Sequence, residues 1–268
     1  MVRAQAKKLL HRMGLRRAHV AAARMAAERT LIAAAPRRQR QRAGGRILCY
    51  HSVGQPYSGV NDVTPERFVR HLDLAKEMGY RFAPAREIAE SGGGPMDLAV
   101  SFDDAWKSVG QVAAPILRKR DIPWSLFVVS GWSEGEAAWL KDEIHDWQEL
   151  KALVGEDLEL GSHSVTHPDF GKLDAEQARS ELIASRAKIE QRLGFAPPTF
   201  AIPLGQSMNW TAHAHQAAQD AGYEVIYAQA EETRFPGTVP RTFVTHFDND
   251  RIFRALLEGA FDRWEEWS

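Results

Sequence analysis

Two histidines four positions apart, His163 and His167 in GSHSVTH (161–167), have the types and spacing that most plainly suggest chemistry. On a helix or tight turn such a pair can face one metal ion. A carboxylate from a neighbouring element would complete a two-histidine, one-carboxylate face. That arrangement leaves coordination positions open for water and substrate, which marks a catalytic rather than a structural site. The adjacent aspartates Asp103 and Asp104 of SFDD (101–104) are available to supply the carboxylate. Tyr50-His51, Pro203-Leu204-Gly205, Arg241 and His246-Phe247-Asp248 are further candidates. Singly, each has an ordinary reading: Asp104 could cap a helix starting near Ala105, and the two histidines could be loop residues.

The elements that must position these residues follow from the pattern of apolar runs. RILCY (46–50), DLAVSF (97–102), WSLFVV (124–129), LELG (158–161), TFAIP (199–203), YEVIYA (223–228) and RTFVTH (241–246) read as strands. Between them lie helices. One runs from Pro65 to the stop at Gly79, with Thr64 as N-cap and Phe68, Leu72 and Ala75 inward. Another runs from about Ala105 to Lys119. The clearest follows Asp174, which forms a capping pair with Gln177, and ends at Gly194, with Ala178, Leu182, Ile189 and Leu193 on one face. This alternation predicts an α/β fold, a distorted (β/α) barrel of about seven parallel strands. In such a fold, working residues collect at the carboxyl ends of the strands, where the candidates above lie apart from Arg241, which opens the last strand.

Other suggestive stretches fail on geometry. His213 and His215 are two apart in a predicted helix, where side chains point away from each other. His71 and His145 lie in helical or pre-helical segments, and SGGGP (91–95) lacks the lysine of a phosphate loop.

SFDD, HSVTH and FAIPLG, in this order and spacing, closely resemble the polysaccharide deacetylases, carbohydrate esterase family 4. The likeness covers roughly residues 46–245. ILCYHSVG further resembles the circularly permuted subgroup acting on biofilm and exopolysaccharide chains, in which the histidine usually near the C-terminus appears in the first strand. The resemblance implies one divalent metal, most often zinc, held by Asp104, His163 and His167. It implies Asp103 as general base, His51 as general acid, and the Leu204 backbone N–H, after Pro203, at the oxyanion. The reaction implied is removal of N-acetyl groups from amino sugars of an oligo- or polysaccharide, or of its cytoplasmic precursor. Two departures stand out. Ala201 occupies the place of an arginine that orients the base in many members, with Arg241 as the substitute, and Ala105 replaces a common glycine. A glycan-binding pseudoenzyme, or an amide hydrolase on a small non-sugar substrate, is the alternative.

The whole chain sets the frame. Its 268 residues include 34 Lys and Arg and 35 Asp and Glu. Residues 1–46, however, hold 13 Lys and Arg against one acid, Glu28, so a basic head precedes an acidic body. Residues 1–45 read as a basic alanine-rich helix and linker, and 46–268 as the barrel domain. Leu9, Leu10, Met13, Val20 and Leu31 would let the helix touch an anionic membrane peripherally. No secretory signal or membrane span is evident, which predicts a cytoplasmic protein, at or near the inner membrane face. Cys49 is the lone cysteine, so no internal disulfide exists. The acidic body carries no basic-aromatic reading surface, so no nucleic acid is expected.

Overall fold

The structure, a computed structural model, describes residues 17–35, 43–140 and 142–265. Ten strands occur among them. They are β1 Arg46–Tyr50, β2 Ser52–Val53, β3 Asp62–Val63, β4 Arg81–Phe82, β5 Asp97–Phe102, β6 Trp124–Val128, β7 Leu158–Ser162, β8 Thr199–Ala201, β9 Val225–Tyr227 and β10 Thr242–Phe243. Eight form one all-parallel sheet in the order β10-β1-β5-β6-β7-β8-β9, with β4 on the first residues of β5, and β2 and β3 pair separately. Val239 bridges to Tyr227 of β9 while Thr242 and Phe243 pair with β1, so one short segment draws the two edges together into a distorted barrel.

Nine α-helices accompany the strands in the described residues: α1 Arg17–Ala34, α2 Pro65–Glu77, α3 Ala85–Ser91, α4 Ala114–Arg118, α5 Ser130–Ser133, α6 Trp147–Leu153, α7 Ala175–Leu193, α8 Ala212–Asp220 and α9 Asp250–Leu257. The local signals operate as expected. The Thr64 hydroxyl accepts from Arg67 N, Asp174 and Gln177 form a capping box, and Gly194 ends α7 in the left-handed conformation. Three short helices are given no bounds in the sequence reading, α5 at Ser130–Ser133 among them. The others are α3, and α6 behind its Asp146–Glu149 capping box.

Alternation along each strand sorts the side chains. One set packs outward under the helices, as Leu48, Val100 and Leu126 do beneath α2 and its neighbours. The other fills the lumen with Ile47, Ala99, Phe127, Ala201, Val225 and Tyr227, and Ile88 of α3 joins that cluster. The middle of the lumen is therefore packed; Ser125 and Glu159 pair near its amino end, and the candidate residues gather at the carboxyl-end rim.

Three expectations change. The helix expected from Ala105 begins only after Trp106, passes through a π turn at Val109–Ala113, and then becomes α4. Asp104 and Ala105 have left-handed φ of 73° and 61°, so Asp104 is no helix cap. The last strand contracts from 241–246 to two residues, because its flanks turn inward to close the barrel.

The N-terminal helix lies outside the barrel yet is joined to it. Met25, Arg29 and Ala33, spaced by four, form its buried face. Val20 and Leu31 are exposed, and Leu9, Leu10 and Met13 lie outside the described residues. Among the described residues no helix is long and apolar enough to cross a membrane.

Candidate active site

Asp103 and Asp104 follow β5 directly, and their environments differ sharply. Asp103 is buried in the lumen mouth, where its two oxygens accept from Arg241 Nη1 at 2.6 Å and Nη2 at 2.8 Å. The Cys49 thiol donates to Oδ2 at 3.4 Å. Burial pushes the Asp103 carboxyl up, but the Arg241 guanidinium outweighs burial and holds it well below the usual carboxylate range. Arg241 is itself fully buried, with its guanidinium 5.1 Å from the Phe127 ring and its Nε donating to the Ala228 carbonyl. Ala201 and Gly161 are what make this possible. A Cβ on Gly161 would lie 2.5 Å from Phe127, so small residues on β7 and β8 leave the lumen to Phe127, Tyr227 and Arg241.

Asp104 turns the other way. Its Oδ2 accepts from Trp106 Nε1 at 3.1 Å, while Oδ1 is buried without a hydrogen-bond partner. That oxygen lies 3.5 Å from His167 Nε2 and 3.7 Å from His163 Nε2. His163 Nδ1 is 2.8 Å from the Ala201 carbonyl, which can only accept, so the proton sits on Nδ1 and Nε2 keeps its lone pair. Burial takes the His163 pKa down to about 4, which keeps the ring neutral. The three side chains place one ligand atom each within 4.8 Å of one another. An orphaned carboxylate oxygen facing two imidazole nitrogens fits a divalent cation, whose charge would offset the otherwise unpaired oxygen.

The loop that carries both histidines is held from α7. Glu181 accepts from Val165 N, Thr166 N and the Thr166 hydroxyl, and the Ser185 hydroxyl donates to the Ser164 carbonyl. Ser164 in turn accepts from His167 N. Trp132 stacks on His167 with ring centroids 5.3 Å apart. Six non-glycine residues have positive φ among those described, and five of them are Asp104, Ala105, Ser164, His167 and Leu204. Left-handed backbone costs free energy outside glycine, so its concentration here means the site geometry is imposed by its surroundings.

His51 follows β1, and the pairing of Tyr50 with Phe102 sets it beside Asp103 on the neighbouring strand. Its Nδ1 is buried without a partner, and its ring meets Phe243 edge-on at 5.5 Å. Pro203 and Leu204 follow β8; Leu204 is half-exposed, and the next carbonyl, of Gly205, accepts from Gln229 N and Ala230 N. His246 is exposed and His71 is buried, and neither joins the cluster.

The profile of the polysaccharide deacetylase family matches residues 92–226, half of the chain. The chain belongs to that family. The matched stretch of this deacetylase-family chain holds Asp103, Asp104, His163, His167, Pro203 and Leu204, while His51 and Arg241 fall outside it. The Bacillus subtilis protein YxkH, whose name places it with the polysaccharide deacetylases, is 23% identical over 185 residues. Those residues are 67% of this chain and 62% of YxkH, so the chain spans less than two thirds of that relative. Two solved structures share the fold, each with a TM-score of 0.65. The Streptococcus pyogenes deacetylase PplD is 20% identical, over 79% of this chain and 97% of its own. IcaB from Ammonifex degensii is 23% identical, over 81% and 98%.

Sequence reasoning missed the residues that hold the family motifs in place. Trp106, Trp132 and Glu181 reach the site only through tertiary contacts; only the position of Trp106, two after Asp104, was a local signal.

Proposed function

We propose that this family member is a divalent-metal-dependent hydrolase that removes N-acetyl groups from amino sugars of an oligo- or polysaccharide. The observation that carries the reading is the division of labour between adjacent aspartates. Asp103 is clamped by a buried arginine, while Asp104 offers an unpaired oxygen to His163 and His167.

Asp104, His163 and His167 would hold the ion, with zinc first among the candidates on its preference for imidazole and carboxylate. When bound, it would polarise the acetamide carbonyl and lower the pKa of water. Asp103 receives the proton of the attacking water, and Arg241 keeps that carboxylate ionised and fixes its plane. His51 donates a proton to the amine nitrogen as the C–N bond breaks, giving acetate and the free amino sugar. Leu204 supplies a backbone N–H to the developing oxyanion. Arg241, arriving from the last strand, does the work of the arginine missing at Ala201. The permuted-subgroup reading rests on His51, which the register of β1 against β5 sets beside the base.

Acetate release from a panel of N-acetylated glycans, with and without chelator, tests the proposal. Release that chelator abolishes and added zinc restores is expected. No release from any N-acetylated glycan by metal-loaded protein would sink it.

A further inference from the structure

Exposed large apolar side chains are costly unless something covers them, and two of them are aromatic rings beside the candidate metal site. Trp139 is 66% exposed and Tyr57 is 56% exposed. They come from separate loops, Tyr57 from the turn Pro56–Asn61 between β2 and β3, and Trp139 from the turn Ala138–Leu140 after β6. The Tyr57 hydroxyl donates to the Trp139 carbonyl at 3.4 Å, so the two loops meet.

Each exposed ring is one ring contact away from a group that bears on the metal ligands. Trp139 meets Trp132 edge-on at 5.9 Å, and Trp132 stacks on His167. Tyr57 lies 6.1 Å from Trp106, whose Nε1 donates to Asp104. The rim is thus continuous with the site and held by its own packing, which lowers the ordering cost of binding.

We infer that Tyr57 and Trp139 form an aromatic subsite that stacks on a neighbouring sugar ring of the glycan whose acetylated residue occupies the site. A pyranose has hydroxyls around its perimeter and C–H groups on its faces. Those weakly positive hydrogens suit the electron-rich face of an indole or phenol, whereas a wholly apolar occupant would waste the nearby hydroxyl and carbonyl groups. The inference rests on the deacetylase reading and adds to it which surface holds the sugar next to the acetylated one.

The test uses full-length, zinc-loaded protein with Trp139→Ala and Tyr57→Ala. The substrates are an N-acetylglucosamine pentamer, which can reach the rim, and 4-nitrophenyl acetate, which cannot. KM for the pentamer should rise roughly fivefold to tenfold with kcat nearly level, which is the worth of one aromatic stacking contact. The loss in kcat/KM should be larger on the pentamer than on the ester. Equal losses on both substrates would mean a collapsed site and overturn the subsite, as would a pentamer KM within twofold of wild type in both variants. Pentamer binding is followed separately by tryptophan fluorescence. Binding that is lost in Trp139→Ala, without acetate release by the wild type, would keep the subsite and sink the deacetylase reading. Acetate release with unaltered pentamer KM would do the reverse.

Discussion

Two neighbouring carboxylates with opposite surroundings make a sharp prediction at the scale of single residues. In the proposed reaction Asp103→Asn would remove a proton acceptor but no metal ligand, so metal content should stay level while turnover falls by ~10²–10⁴-fold. Asp104→Asn removes the oxygen that has no other partner, so metal content itself should drop. Metal analysis and turnover on both variants decide this, and the reversed pattern would exchange the two roles. Arg241→Lys probes the clamp. A lysine cannot reproduce the bidentate pair at 2.6 and 2.8 Å, so turnover should fall by about 10–100-fold with metal retained, the usual cost of losing an orienting partner. Turnover equal to wild type would show that Asp103 needs no guanidinium.

At the scale of elements, the notable contact is between α1 and the far end of the chain. Arg29 is fully buried, and its Nε and Nη2 donate to the two Asp248 oxygens at 2.6 and 2.5 Å. Nη2 also reaches the Phe243 carbonyl, and the guanidinium lies 4.5 Å from the Phe261 ring. A helix that the sequence reading sets apart from the barrel domain is therefore pinned beside β10 by a charge pair that solvent does not reach. Arg29→Met leaves Asp248 charged and unpaired, and should destabilise the fold by about 3–5 kcal/mol in urea unfolding. Adding Asp248→Asn should recover part of that loss. An unshifted midpoint in the single variant would mean that α1 does not dock in solution. Deleting residues 1–40 removes Arg29 as well and should carry a similar cost.

At the scale of the whole molecule, stability should depend on pH through His71. This histidine links three elements: Tyr50 of β1 donates to Nδ1 at 3.1 Å, Nε2 donates to the Asp248 carbonyl at 2.6 Å, and the ring stacks on Phe253 of α9. Burial takes its pKa down to about 4, against the partial opposition of Asp248. An unfolded histidine titrates near ~6.5, so the unfolded chain takes the proton first as pH falls. The contribution is complete above about pH 6.5 and is lost as pH falls to about 4, on the order of 3 kcal/mol for this group. The drop in urea midpoint between pH 7 and pH 4.5, measured with chelator present, should be smaller in His71→Gln than in wild type. Equal drops would show that His71 is not held neutral.

The sequence alone was enough to identify the alternating α/β chain, most strand positions, the caps of α2 and α7, and the cluster of Asp103, Asp104, His163 and His167. These are local: strands are written in short apolar runs, caps in neighbouring residues, and the two motifs that carry the cluster each span a few positions at a strand end. Tertiary structure decided the rest. Arg241 meets Asp103 only because the shortened last strand closes the barrel and because Gly161 and Ala201 leave the lumen open to it. Arg29 meets Asp248 across nearly the whole chain, and no periodicity in α1 announces a buried charge. Trp132 and Glu181 act on the histidine loop from separate elements, so nothing in their own neighbourhood marks them. Local spacing encodes which groups can do chemistry, but a buried charge becomes tolerable, or useful, only when the fold brings its partner within hydrogen-bond reach.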